Sequence, residues 1–268
     1  MISVLGSSGF IGSELVKQLR VNNIPFNIPA RGEEMNERLG NIIYCIGLTA
    51  DFRYKPFETV EAHVSLLNKL LDWGKFESLT YLSSTRVYIN SKDSEVSENS
   101  LITVNINDPD ELYTLTKLTG ERICLSSGRK NVNIARLSNV YGEDYTSENF
   151  ITSLLKQIKD DGHIRFFTTP DSAKDYISIE YVIDILLKIA TSSKQGIYNI
   201  ASGINITNAE IIQLLKEQFS FTYEFDAFAK KIIFPKINID KIKNEFKFKN
   251  DSGTYLKQLL KNIKNDTN

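Results

Sequence analysis

Tyr113 and Lys117 stand four residues apart in the run Tyr113-Thr114-Leu115-Thr116-Lys117. On a helix, that spacing puts both side chains on one face, about one turn apart. A free phenol titrates at about 10 and exchanges protons poorly at neutral pH. An ammonium beside it favours the phenolate and lowers that value, which makes proton exchange with a substrate oxygen feasible. The pair also occurs by chance on solvated helices, so it carries weight only beside a dinucleotide site and a hydroxyl partner. The chain supplies both, in Gly6-Ser7-Ser8-Gly9-Phe10-Ile11-Gly12 and in Ser83-Ser84.

Those residues need elements to hold them. Met1 to Leu5 reads as a short buried strand, and Ile11, Leu15, Val16 and Leu19 give a helical period after the glycines. Strand, glycine turn and helix make the first half of a βαβ dinucleotide site. The glycines allow a tight turn, and the helix N-terminus offers free N–H groups to a pyrophosphate. The spacing is G-x-x-G-x-x-G. Phe26 to Ile28 is the second strand, placed at a sheet edge by Pro25 and Pro29. The stretch after it holds Arg31, with Glu33 and Glu34 further on. Arg31 is either the partner of a ribose 2′-phosphate or a solvated loop residue.

Further strands are expected at Asn41 to Ile46, Ser78 to Ser83, Val132 to Arg136, Ile164 to Phe167 and Gly196 to Ile200. Helices are expected at Phe57 to Trp73 (with Val60, Val64, Leu67 and Leu71 as its stripe), around Tyr113, from Phe150, from Ile177 to Ile189, and after Thr207 to about Phe219. Asn90 to Asp108 is a loop. The Lys-, Phe- and Ile-rich end from Phe221 holds a strand and two helices, around Asp240-Lys241 and Leu256 to Ile263. Its interleaved acids make that end a solvated face and not a nucleic-acid surface.

With 41% hydrophobic and 24% charged residues and a formal net charge of −1, the chain is ordinary globular protein. No global field draws it to nucleic acid or to an anionic membrane. Its two cysteines, Cys45 and Cys124, lack metal-ligand spacing and read as buried thiols of a reducing compartment. His63 and His163 are too isolated for a zinc site. Met1 already opens the first strand, so no leader peptide is expected, and no apolar run reaches membrane-spanning length. A cytoplasmic protein is expected.

Taken in order, these segments resemble the extended short-chain dehydrogenases/reductases of the nucleotide-sugar epimerase/dehydratase type, over nearly the whole chain. Gly6, Gly9 and Gly12 match the family's glycine motif, Ser83-Ser84-Thr85-Arg86-Val87-Tyr88 its serine motif, and Tyr113 with Lys117 its catalytic pair. Arg136-Leu137-Ser138-Asn139-Val140-Tyr141-Gly142 is similar to R-x-x-N-V-Y-G, Lys174-Asp175-Tyr176-Ile177 to R-D-Y-I, and Gly196-Ile197-Tyr198-Asn199-Ile200 to G-x-Y-N-I. The resemblance implies an α/β fold: a Rossmann-type, doubly wound parallel sheet with a small, discontinuous C-terminal substrate domain. The dinucleotide-binding domain would span 1–143 and 176–201, and the substrate domain 144–175 and 202–268.

By position, the resemblance makes Ser84 the hydroxyl that orients the sugar oxygen, Tyr113 the proton exchanger, and Lys117 the group that binds the nicotinamide ribose and depresses the phenol. Expected cofactor contacts are Gly6, Ser8, Gly9, Phe10, Ile11, Gly12, Arg31, Gly47, Leu48, His63, Tyr113 and Lys117. Expected substrate contacts are Thr49, Ser84, Thr85, Arg86, Asn139 and Lys174, the last standing where an arginine usually approaches the diphosphate. No metal is expected. The cofactor is NADP or NAD, with Arg31 favouring NADP. The chain departs from the pattern in four places. It lacks the ribose-binding acid after the second strand. Between Arg31 and Asn41 there are too few residues for the usual helix, strand and adenine-contacting aspartate. His63 replaces an asparagine, and Thr85-Arg86 replace the Asp-Glu of 4,6-dehydratases. With no acid for the leaving hydroxyl and no base for the neighbouring carbon, dehydration is disfavoured.

The leading expectation is a reductase of a 4-keto group on a nucleotide-linked deoxysugar, of the kind used in deoxysugar or surface-polysaccharide biosynthesis. The alternative is a C4 epimerase with tightly held NAD, and a third is a cofactor-binding regulator on the same fold. A homodimer is implied, pairing through helices around Leu66 to Trp73 and Leu115 to Cys124.

Overall fold

The apolar run that opens the chain forms β1 (Ile2–Leu5), every residue of which is buried, as a strand covered on both faces requires. A computed structural model describes residues 1–30, 32, 38–49, 51–143, 149–249 and 256–260. After β1 come α1 (Phe10–Val21), β2 (Phe26–Asn27), β3 (Asn41–Tyr44), α2 (Pro56–Val60), α3 (Leu66–Trp73), β4 (Ser78–Ser84), β5 (Glu95–Val96) and α4 (Glu111–Ser126). There follow β6 (Val132–Leu137), β7 (Asn139–Tyr141), α5 (Phe150–Asp161), β8 (His163–Thr168), β9 (Ala173–Ser178), α6 (Ile179–Thr191) and β10 (Gly196–Ile200). The last elements are β11 (Asn205–Thr207), α7 (Asn208–Lys216), β12 (Thr222–Lys230), β13 (Lys236–Ile237), α8 (Asp240–Phe246) and a helical turn at 256–260.

Six strands form one sheet in the order β10-β6-β4-β3-β1-β2, and every pair in it is parallel. The Rossmann-type sheet is therefore present. From β1 the chain goes outward to β2 and then back across β1 to β3. That reversal opens a crevice at the carboxyl ends of β1 and β3, where open α/β sheets bind their ligands. β2 is the two-residue edge strand that the flanking prolines dictate. Alternation along β3 feeds two cores. Ile43 joins Leu15, Leu19, Val182 and Leu186 on one face of the sheet, while Ile42 and Tyr44 join Leu67, Leu71 and Tyr81 on the other.

Two expected helices differ from the sequence reading. The one expected from Phe57 to Trp73 is interrupted by a π turn at Glu61–Ser65, which inserts one extra residue and rotates what precedes it. Thr59, Ala62 and His63 therefore point inward, and Val60, expected on the buried stripe, is exposed. The helix expected from Ile177 starts at Ile179, because Ser178 ends β9 and caps α6 by accepting the Tyr181 N–H. Lys174 to Ile177 are consequently a strand. The expected cap at Thr207 is a full capping box with Glu210.

Beyond the large sheet, β11-β9-β7 form a second sheet and β12 pairs with β8. Ile151, Leu154, Ile164, Phe166, Ile211 and Leu215 pack there with Tyr141 and Tyr176 into a separate core. β7 and β9 thus carry the chain from the end of the Rossmann sheet to the wall opposite it. Among the described residues, no helix is long and apolar enough to cross a membrane.

Candidate active site

The glycine turn is tight for a steric reason. Gly6 has φ +85°, and a Cβ there would lie 2.8 Å from the Cys45 carbonyl carbon and the Ile46 nitrogen. A Cβ on Gly12 would fall 2.2 Å from the Gly6 oxygen. The first position lets β1 meet the end of β3, and the second lets α1 start against the turn. Gly9 donates its N–H to the Gly6 carbonyl at 3.2 Å, and no side chain caps α1. Its first-turn N–H groups therefore stand beside a cavity lined in part by Gly9, Phe10 and Ile11, a fitting cradle for a pyrophosphate. Arg31, with Glu33 and Glu34, lies outside the described residues.

The cavity has a volume of about 450 Å³ and runs from this turn, past the ends of β3, β4 and β6, to the wall made by β7, α5 and β9. It gathers most of the expected site. Gly47 and Thr49 line it after β3, and Ser84, Thr85 and Arg86 after β4. Tyr113 and Lys117 line it from α4, and Asn139 and Lys174 from the opposite wall. Gly6 and Gly12 shape the turn without lining the cavity, and Ser8 is exposed beside it. Leu48 and His63, expected as cofactor contacts, do not line it.

At its centre, the Ser84 hydroxyl stands beside the Tyr113 phenol and pulls its pKa down, and it accepts the Arg86 N–H at 3.1 Å. Tyr113 is 7% exposed. The Phe52 ring packs 5.4 Å from it and the His63 ring stands edge-on at 5.5 Å. Lys117 donates from Nζ to the Leu82 carbonyl at 2.9 Å, and its ammonium lies 5.9 Å from the Tyr113 ring centre. Burial raises the Tyr113 phenol above its ordinary value, against the opposing pull of Ser84 and of the Arg86 charge. This corrects the expectation of a phenol lowered by Lys117. Desolvation outweighs the distant ammonium, which burial itself pushes down to about 7 against the upward pull of Glu121 and Cys45.

His63 has a structural role the sequence did not reveal. Its Nε2 accepts the Leu48 N–H at 3.2 Å, so Nδ1 carries the proton and donates to Thr116 Oγ1 at 2.8 Å. Thr116 passes its own proton to the Leu112 or Tyr113 carbonyl. Burial, with the Lys117 charge, pushes the imidazole down to about 2, so it stays neutral. The π turn thus ties the strand-end loop to the second turn of α4. A Cβ at Gly47 would come within 3.1 Å of His63 Nε2 and 3.3 Å of Lys117 Nζ, so this loop passes in close contact with both.

Behind the cavity, Glu121 sits one turn beyond Lys117 and accepts from Arg136 Nε at 2.9 Å and Nη2 at 2.6 Å. Ser83 donates to the same carboxylate, Arg136 also reaches the Tyr88 hydroxyl, and Tyr88 donates to Asn199 at 2.9 Å. This buried network pins α4 to β4, β6 and β10. The i, i+4 spacing of Lys117 and Glu121 was a signal for it, though its partners come from other strands.

At the mouth, Asp110 gives both carboxylate oxygens to Arg53, and Arg86 reaches Asp110 only at 3.6 Å. Phe52, Arg53 and Asp110 were not among the expected site residues. The position of Asp110, three residues before Tyr113, was the available hint. Asn139 commits its amide N–H to the Asp175 carbonyl at 2.8 Å. Cys45, expected to be buried, is half-buried and lines the cavity, while Cys124 is buried as expected. Among the described residues, no group of His, Cys, Asp and Glu could hold a metal.

Comparison with known proteins agrees with this architecture. Residues 2–201 match the model of the NAD dependent epimerase/dehydratase family. A GDP-L-fucose synthase of Sinorhizobium fredii is 22% identical over 253 residues, covering 80% of this chain and 78% of that protein. The RMD protein of Pseudomonas aeruginosa complexed with NADPH superposes with a TM-score of 0.79 at 20% identity, over 99% of this chain and 98% of the other. A UDP-glucuronic acid 4-epimerase of Bacillus cereus, in complex with UDP-glucuronic acid and NAD, has a TM-score of 0.79 at 18% identity, over 100% and 99% of the two chains. At these identities the structures share the fold, while the family match covers both the glycine turn and the Tyr-Lys pair. The chain belongs to the NAD-dependent epimerase/dehydratase family.

Proposed function

We propose that this chain is a short-chain dehydrogenase/reductase that uses NAD(P)H to reduce the 4-keto group of a nucleotide-linked sugar. The observation that carries the reading is the meeting of Ser84, Tyr113 and Lys117 in one cavity, beside the uncapped start of α1. When bound, the nicotinamide cofactor supplies the hydride. Tyr113 holds a proton on its phenol oxygen and gives it to the sugar oxygen. A phenol raised by burial remains protonated, which suits giving a proton to a developing alkoxide. Ser84 orients that oxygen, Lys117 holds the cofactor's ribose, and Phe52 and the neutral His63 keep water from the phenol. Asn139 faces the substrate from β7 and Lys174 from the opposite wall, the latter in a smaller domain of 144–175 and 202–268.

Consumption of one reduced cofactor per sugar reduced is the expected result with a panel of nucleotide-linked 4-keto sugars. Turnover of a nucleotide sugar without added reduced cofactor would instead make the chain a C4 epimerase, the activity carried by the Bacillus cereus neighbour.

NADPH is the proposed cofactor, because Arg31 follows β2 with no acid between them. A guanidinium makes charge-assisted bonds to a 2′-phosphate, whereas a carboxylate would repel it. Titration should show tighter binding of NADPH than NADH, with the preference lost in Arg31→Ala. Equal weakening of both cofactors would place Arg31 on a feature they share.

Lys117→Met should weaken cofactor binding and also change how stability depends on pH. The ammonium titrates at about 7 in the folded chain and at 10.5 ordinarily. Between those values the unfolded chain binds more protons, so this residue makes stability rise with pH. The variant should flatten that rise in urea unfolding of the cofactor-free protein. A slope equal to wild type would mean that Lys117 is not desolvated.

The proposed assembly is a cytoplasmic homodimer that pairs through α2, α3 and α4. Phe57, Trp73 and Leu125 are 85%, 70% and 51% exposed on those helices, more apolar area than one chain buries. Sedimentation should give twice the chain mass at micromolar concentration, and a strict monomer would remove the proposal.

A further inference from the structure

We propose that the sugar accepted here carries a carboxylate next to the reacting carbon, and that Arg86 binds it. The proposal rests on the nucleotide-sugar reading above and narrows it to uronate-type substrates. Arg53, Arg86, Lys117 and Lys174 line the cavity, and no Asp or Glu among the described residues does. Two of these cations are already served. Arg53 holds both oxygens of Asp110, and Lys117 donates to Leu82 near the charge of Glu121. Arg86 is served only at longer range. Its contact with Asp110 is 3.6 Å, beyond a hydrogen bond. Its Nε is buried without an acceptor.

Position ties Arg86 to the reacting oxygen. Arg86 lies on the short turn Thr85–Tyr88 that Ser84 caps, and its own N–H holds the Ser84 hydroxyl. Its charge reaches the Tyr113 phenol. The guanidinium therefore serves the neighbourhood of the oxygen that Ser84 and Tyr113 address. In a pyranose, the diphosphate hangs from C1, across the ring from C4, whereas a uronate carboxylate hangs from C5, next to it. Lys174 stands on the opposite wall over the Phe150 ring, at 5.4 Å, and its neighbouring charge is the repelling Arg86. A hydroxyl would occupy one N–H of Arg86 and leave its charge facing only the more distant, shared Asp110. A carboxylate matches the planar fork and neutralises it.

The test is calorimetric titration of the full-length protein with the diphosphates of uridine, guanosine and thymidine, each free, linked to glucose, and linked to glucuronate. With the nucleotide that binds, wild type should hold the glucuronate form about 30- to 100-fold more tightly than the glucose form, the range of a charge-assisted bond pair. Arg86→Met should erase that preference while the free diphosphate and the glucose form stay within about threefold of wild type. Arg86→Lys, which keeps the charge without the fork, should retain part of it. A loss shared by the free diphosphate would place Arg86 on the phosphates and overturn the proposal, as would equal affinity of wild type for the two sugars. If no ligand of the set binds, the nucleotide-sugar reading itself falls, and the carboxylate assignment with it.

Discussion

Tyr113→Phe is expected to lower kcat by roughly 10²- to 10⁴-fold, the usual contribution of a positioned acid–base group. The substitution removes one oxygen and keeps the ring, so the packing against Phe52 and His63 at 5.4 and 5.5 Å persists. Lys117 bonds the Leu82 carbonyl and not the phenol, so its ammonium should stay in place and cofactor affinity should change little. Stability should hold as well, because the hydroxyl lost is itself a desolvated polar group. The measurements are single-turnover rates, a cofactor titration and a urea melt of the same variant. A kcat within tenfold of wild type would show that another group moves the proton. A parallel loss of cofactor affinity would show that Tyr113 positions the cofactor and is not only an acid.

Arg136→Met should cost roughly 3–5 kcal/mol of folding stability, the usual penalty for removing one member of a buried ion pair. Arg136 and Glu121 are 4% and 5% exposed. Without the guanidinium, the Glu121 carboxylate would keep Ser83 as a donor while its charge stayed uncompensated. Tyr88 would lose its cationic neighbour too. The double variant Glu121→Leu/Arg136→Met should recover much of the loss, because a buried pair replaced by apolar groups is often nearly neutral. Urea midpoints of wild type, both single variants and the double variant form the test. If the single variants lose less than about 1 kcal/mol, water or another donor reaches Glu121, and the network does not anchor α4.

These two expectations differ in how much of each was legible beforehand. The Tyr113–Lys117 pair, the glycine turn and the Thr207 cap are short-range patterns, set by the periods of helix and turn, and the structure keeps each in the expected element. The edge position of β2 followed from two prolines that cannot serve a central ladder. By contrast, Arg53 and Asp110 meet across 57 positions and His63 meets Thr116 across 53. No local period encodes those separations. The π turn was also hidden, since one inserted residue leaves composition unchanged while it turns Val60 outward and His63 inward.

By itself, then, the sequence determined which residue types were present for proton exchange and phosphate binding, and the elements that would carry them, because spacing along a helix or turn is a local property. Only the tertiary structure decided what those groups are worth. Burial raises the Tyr113 phenol and brings Lys117 down to about 7, the reverse of the order expected from their spacing. It also commits Asp110 to Arg53 and leaves Arg86 facing the cavity. The reason is physical: desolvation and the choice among charge partners depend on everything packed around a group, and that neighbourhood exists only once distant strands and helices have met.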